Sequence, residues 1–469
     1  MDGGLRRREA LNEPHRQPGN VTNRRRSILV EGFGPDSVAC ATFFLASGNE
    51  VTIAAIEAAP RAVRALAALG AQVLAGCDLD ASELTRDVFV VDCWTSELAP
   101  RVVRHRQAGA RLTSIGDLVL ANSRGPVLGV TGSGGKTTAT RLASMAMRAG
   151  GLRVVESRGA RAGNAWPSAD VLGVGAADDW LAVELTSTHL AFMRETPAIA
   201  VITSFWPDHV ELHGSVGAYR QAKGRILGNE DQHVVINADD EGAADFADLA
   251  SGPVVMASAA RPVAEGVGVV DRQIVLRRDH RVTNLGPRDG LPYEGPLASV
   301  AVTALCAAIW AGADPNLAAR ALRTPVDLPY RRRLLGVVNG VSMIDDSAAT
   351  TPRKALAVLA GRDLSQVIMI VGGERSLGGA PVMDSVDEQA ELDAALAVLG
   401  SCRAVVAFGP AAVRVTIKCA RVESLADACA EARRRARRGD SIIVAPMFPV
   451  DFASRDRLPA LLGAATRDA

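Results

Sequence analysis

Gly129 to Thr138 reads G-V-T-G-S-G-G-K-T-T, and the reading of the whole chain turns on this stretch. Before it, Val127, Leu128 and Val130 form the short apolar run of a buried parallel strand. After it, Leu142, Met145, Ala146 and Ala149 recur at helical spacing, and Gly150-Gly151 stops the pattern. Strand, glycine-rich loop, lysine, hydroxyl and helix is an arrangement that binds a nucleoside triphosphate. Glycines let backbone N–H groups close round phosphates, and the helix start adds its positive dipole end. The candidate phosphate contacts are Gly132, Ser133, Gly134, Gly135, Lys136, Thr137 and Thr138. Lys136 is expected against the β- and γ-phosphates, with the Thr137 hydroxyl on Mg²⁺. Val130 stands where the strict G-x-x-x-x-G-K-[ST] spacing has its first glycine.

Working outward, residues 1–26 are polar and basic without apolar periodicity, and a disordered tail is expected there. From Ser27 the chain runs I-L-V-E-G-F-G-P-D-S into a helix through Phe43-Phe44-Leu45. Strands follow at 51–55, 72–74 and 88–91, which makes a Rossmann-like unit with Gly32 and Gly34 at the first strand–helix turn. Ser37 takes the place of the third fingerprint glycine, so this unit reads as nucleotide-recognising or structural rather than as a redox NAD site. On the other side of the phosphate loop, Glu184 ends an apolar run, and A-V-I-T-S-F-W-P-D-H is read as a strand ending at Asp208-His209. Lys223 lies on a helix, and V-V-I-N-A-D-D is a strand ending at Asn237 and Asp239. Ligands gather at the carboxyl ends of parallel strands, so loop, carboxylate and imidazole are offered to one crevice. Glu184 and His209 suit a second divalent cation there; a salt bridge for the one and a helix cap for the other are the plain alternatives.

Past Pro325, strands at 367–371, 404–408 and 441–444 alternate with helices as a second Rossmann-like layer. The expected fold is therefore α/β in three domains. They are an N-terminal Rossmann-like domain over 27–122, a central P-loop ATPase-type parallel sheet over 123–325, and a C-terminal Rossmann-like domain over 326–469.

Composition narrows the function. Formal net charge is zero, so nothing global favours nucleic acid or an anionic membrane as partner. Seven cysteines without a C-x-x-C pair argue against a zinc site and for a reducing, cytoplasmic setting. The apolar stretch 297–313 reads as a buried helix.

The motifs together resemble the Mur ligase family, closest to its MurD branch. G-V-T-G-S-G-G-K-T-T resembles the family phosphate loop, E-L-T-S-T-H-L its glutamate motif, and P-D-H-V-E-L-H-G with A-Y-R-Q-A-K its histidine and lysine motifs. Y-R-R-R-L-L-G and I-D-D-S-A-A-T-T-P resemble the nucleotide-gripping segment of the third domain. The resemblance implies an ATP- and Mg²⁺-dependent ligase. It would join glutamate to UDP-N-acetylmuramoyl-L-alanine through an acyl phosphate and act as a monomer. It implies catalytic roles for Lys136, Glu184, His209 and Lys223. It implies Thr137, Glu184, His209 and a carbamylated Lys223 as metal ligands, Arg331 and Asp346 as further ATP contacts, and Asn164 and Thr350 as substrate contacts. The chain departs from the family at Gly134, where asparagine is usual, and at Ala348, where lysine is usual. It departs also at Val300 and Thr303, which replace adenine-contacting asparagines, and at Ala54-Ala55, which lack the uracil-reading acid. A changed acceptor, a changed donor or a nucleotide-binding pseudoenzyme are the alternatives these departures leave open.

Overall fold

The computed structural model describes residues 26–32, 34–55, 60–157, 171–172, 174–377, 380–381 and 385–463. The basic tail up to residue 25 and Asn164 lie outside them. Three open sheets follow one another along the chain.

The first contains β1 (Ser27–Glu31), β2 (Glu50–Ala55), β3 (Gln72–Ala75), β4 (Val88–Val90) and β5 (Arg111–Thr113). They run all parallel in the order β3-β2-β1-β4-β5. The apolar run Ile28-Leu29-Val30 is fully buried because helices cover both faces of such a sheet.

The second sheet has nine strands in the order β14-β13-β12-β11-β10-β9-β6-β8-β7. The strand that leads into the phosphate loop, β6 (Val127–Thr131), lies between β8 (Trp180–Glu184) and β9 (Ile199–Ile202). β7 (Val154–Glu156) closes one edge, and β10 (His233–Asn237), β11 (Val254–Ala257) and β12 (Gly266–Val270) extend the parallel part. The helices Lys136–Ala149 and Pro296–Trp310 lie together on one face. Ala139, Ala143 and Ala146 of the one share a buried cluster with Ala301, Ala304 and Ala308 of the other. Small side chains allow that close approach. On the opposite face, Val183, Leu185 and Ile202 join one continuous core with Ile28 of the first sheet and with Phe44 and Val119 of the helices Pro35–Ala46 and Ile115–Ala121.

Two features of this sheet differ from the sequence reading. β13 (Gln273–Arg278) and β14 (Arg281–Pro287) add an antiparallel edge to a sheet expected to be parallel. Both connections are two-residue turns, Asp271-Arg272 and Asp279-His280, with φ of 47°, 60°, 51° and 62°. Primed hairpin turns need such positive φ and usually announce themselves by glycine or Asn-Gly, which is absent here. The second difference is that β9 ends at Ile202, not at Asp208-His209. Thr203 and Ser204 turn their hydroxyls onto the phosphate loop instead of continuing a ladder, and Pro207 has no N–H to donate.

The third sheet runs β15-β16-β22-β17-β20-β21, from β15 (Arg333–Val338) and β16 (Val341–Asp345) to β17 (Val367–Gly372), β20 (Ala404–Phe408), β21 (Ala420–Val422) and β22 (Ser441–Met447). Only the β15–β16 pair in it is antiparallel. β18 (Ser376–Leu377) and β19 (Ala380–Pro381) form a separate short pair. Among the described residues no helix is long and apolar enough to cross a membrane.

Candidate active site

The site is built where β6, β8 and β9 end side by side. β6 delivers Gly132 with φ of 152°, a conformation glycine adopts freely, and a Cβ there would stand 2.1 Å from Thr203 Oγ1. Thr203 Oγ1 donates to the Gly134 carbonyl at 2.6 Å, and the Ser133 N–H donates to the Ser204 carbonyl at 3.0 Å. The Gly134 N–H donates to Ser204 Oγ at 2.9 Å, so the N–H groups of Ser133 and Gly134 are turned onto the 203–206 segment. By contrast, the first N–H groups of the helix that starts at Lys136 have no acceptor within it. Thr138 sits half-buried in that first turn.

Gly134, where the usual residue is asparagine, has a steric reason. A Cβ at this position would lie 2.5 Å from Cη2 of Trp206, whose ring occupies that space. Val300 likewise abuts the loop, with Cγ2 2.8 Å from where a Cβ on Gly135 would stand. Thr303, one turn on, spends its hydroxyl on the Ser299 carbonyl at 2.8 Å.

Two lysines converge on one acceptor. Lys136 Nζ donates to the Gly132 carbonyl at 3.0 Å, and Lys223 Nζ donates to the same oxygen at 2.8 Å. Desolvation pushes the Lys136 ammonium below its ordinary pKa, opposed by Glu184. Lys223 is fully buried, its ammonium 4.7 Å over the Tyr219 ring; burial and then Lys136 push it well below its ordinary value. Glu184 ends β8, and its Oε2 accepts from Thr137 Oγ1 at 2.5 Å. Arg331, from beyond the second sheet, donates through Nη2 to the same Thr137 hydroxyl at 3.0 Å.

His209 stands further out. Its backbone is left-handed, with φ of 54°, a cost borne at few non-glycine positions and often where a side chain has to be aimed. Its ring faces Asp208 at 3.8 Å and Glu211 at 3.4 Å. Among the described residues, no three of His, Cys, Asp and Glu gather closely enough to hold a metal ion by themselves. The hard oxygens of Thr137 and Glu184 are a donor pair suited to Mg²⁺, and phosphate oxygens are its ordinary further ligands.

In the third sheet, Asp346 follows β16 and accepts from the Arg332 N–H at 3.0 Å. Burial pushes its carboxyl up to about 7, against the pull of Arg332. Thr350 is half-buried four residues on, its N–H bonded to the Ala348 carbonyl at 3.0 Å. Ala348 in turn donates its N–H to the Tyr330 carbonyl at 2.9 Å, next to Arg331.

Several residues at the site carried no sequence signal. Trp206 and Ser204 fall in a segment read as strand. Lys354, whose Nζ lies 3.0 Å from Asp208 Oδ2, is 146 residues away in sequence. Only the docking of the third sheet brings it in.

Comparison with known proteins shows what the chain is similar to. Residues 130–262 match the Mur ligase middle domain. The chain is 31% identical to the UDP-N-acetylmuramoylalanine--D-glutamate ligase of Frankia casuarinae, over 92% of each chain. It is 27% identical to the enzyme of the same name from Symbiobacterium thermophilum, over 89% of this chain and 92% of that one. Among solved structures, MurF from Acinetobacter baumannii superposes with a TM-score of 0.58 at 16% identity, covering 93% of this chain and 90% of that one. UDP-N-acetylmuramate-alanine ligase MurC from Thermotoga maritima gives 0.55 at 17% identity, over 94% and 100%. At such identities these two speak for the fold alone.

Proposed function

The chain belongs to the Mur ligase family, and from that premise we propose that it is an ATP-dependent ligase adding D-glutamate to UDP-N-acetylmuramoyl-L-alanine in peptidoglycan precursor synthesis. The observation that carries the proposal is the convergence of Lys136, Lys223, Glu184, Thr137 and Arg331 on the end of β6. That constellation suits phosphoryl transfer.

A carboxylate oxygen of the muramoyl-alanine donor attacks the γ-phosphorus of ATP, and ADP departs. The neutral glutamate amine then attacks the acyl carbon; the carbon's C–O bond to phosphate breaks, and inorganic phosphate leaves with one former carboxylate oxygen and, in the net balance, the proton lost by the amine. Lys136 holds the β- and γ-phosphates, supported by the leading N–H groups of its helix and by Gly132, Gly135 and Thr138. Thr137 and Glu184 would hold Mg²⁺, which supplies charge neutralisation on the transferring phosphoryl group. Arg331 brings a further cation from the third domain, and Asp346 orders the backbone of Arg332 beside it. Thr350 and Asn164 are assigned to the acceptor and donor sides. His209, with Lys223 carbamylated, is assigned to a second metal. The neutral amine that burial favours at Lys223 is the form that adds carbon dioxide. The working division of the chain is 27–122 for the donor, 123–325 for ATP, and 326–469 for ATP and the amino acid.

The mechanism is tested with donor labelled with ¹⁸O in its carboxylate. One labelled oxygen is expected in each phosphate released, and unlabelled phosphate would rule out the acyl phosphate.

A further inference from the structure

The 203–209 segment is held from two sides. From its own sheet, Thr203, Ser204 and Trp206 are bonded to the phosphate loop; Ser133 Oγ donates to the Trp206 carbonyl at 2.9 Å and accepts its N–H at 3.0 Å. From the third sheet, the helix Pro352–Ala357 reaches over it with two consecutive cations. Arg353, fixed by Glu391 at 3.1 Å, lies 5.2 Å over the Trp206 ring. Lys354 lies 3.0 Å from Asp208, and the side chains are only 21% and 7% exposed.

Asp208 is an awkward group in this place. It is a buried carboxylate whose field, like that of Glu184, reaches both Lys136 and Lys223, beside a loop shaped for phosphate. A carboxylate there repels the phosphates that the loop is built to receive, unless a cation neutralises it. His209 Nε2 faces it at 3.8 Å and pulls on its charge first, ahead of Lys354, but is beyond hydrogen-bonding reach. Lys354 makes the charge-assisted bond.

We propose that Lys354 is a positioning residue of the nucleotide site, acting as the counter-charge of Asp208, so that a phosphate cradle in the second sheet is completed by a lysine from the third. ATP affinity then depends on the third sheet being docked through this ion pair as well as through Arg331. The inference rests on the nucleotide-binding half of the proposed function, and its test is chosen not to need turnover.

The test is calorimetric titration of the full chain with Mg²⁺ and a non-hydrolysable ATP analogue. Lys354→Met is expected to weaken binding at least tenfold, and Lys354→Arg by less than threefold, because arginine can keep the pair. Removing the carboxylate as well, in Lys354→Met with Asp208→Asn, is expected to bring affinity back to within threefold of the parent. A residue that merely braced the fold would lower the melting temperature without this pattern. Parent-like affinity in Lys354→Met overturns the proposal, as does a double variant that stays as weak as Lys354→Met. If the parent binds the analogue yet makes no product, the ligase reading fails and the Lys354 result still stands. A parent that does not bind the analogue overturns both.

Discussion

Restoring the family's usual asparagine at position 134 is expected to damage this protein. A Cβ there would stand 2.5 Å from Trp206 Cη2 and 3.0 Å from Cζ2, whereas carbon atoms settle at about 3.5–4.0 Å. The ring must therefore move by roughly 1 Å. It is not at liberty to do so cheaply. Arg353 lies over its face, and its backbone is bonded on both sides to Ser133 Oγ. Overpacking of this kind costs about 1–3 kcal/mol. At about 1.4 kcal/mol per decade, that is roughly 5- to 150-fold in kcat/KM for ATP if the loop yields rather than the ring. The assay is steady-state turnover of Gly134→Asn, Trp206→Ala and the double variant. The single change is expected to lose activity within that range, and the double variant to be better than Gly134→Asn, because the ring is gone. Gly134→Asn within twofold of the parent, or losses that simply add, would refute the steric account.

Other consequences are as direct. His189 is buried, accepts the Thr186 N–H at 3.3 Å, and is pushed down to about 3 by burial and then by Lys136. The folded state keeps it neutral while the unfolded chain protonates near 6.5, so its contribution is complete above about 6.5 and drains as pH falls towards 3. By pH 5 the loss is about 2 kcal/mol, read as a drop in urea midpoint from pH 7 that His189→Gln lacks; an equal drop in both proteins would contradict it. Lys136→Ala is expected to lower kcat at least about a hundredfold, measured by ADP release, since it removes the cation on the transferring group. Turnover of the parent is expected to fall when bicarbonate is stripped and to return when it is added, and Lys223→Ala to show neither response.

The phosphate loop and its strand and helix were legible because their chemistry is local: glycine conformations, one lysine and one hydroxyl occur within ten residues. Glu184 was legible for a similar reason, as the last residue of an apolar run that could only be a buried strand. The antiparallel edge was not, because its turns put Asp271-Arg272 and Asp279-His280 into conformations that glycine normally marks. The end of β9 was overrun because Thr203 to Trp206 have strand-like composition, and only the phosphate loop beside them claims their hydrogen bonds. Gly134 departs from the family motif with no local reason, because the ring that fills the space belongs to Trp206, 72 residues further on. Lys354 and Arg353 lay beyond reach altogether, since a helix start announces nothing about which surface the sheet behind it will meet.

The central claim is tested most directly by phosphate release from ATP in the presence of UDP-N-acetylmuramoyl-L-alanine, run in parallel with D-glutamate, L-glutamate and no amino acid. The account predicts release that requires D-glutamate and disappears in Lys136→Ala. Release that prefers L-glutamate would contradict the assigned acceptor and point to a remodelled pocket around Ala348; no release with either, from a protein that binds ATP, would contradict the ligase itself.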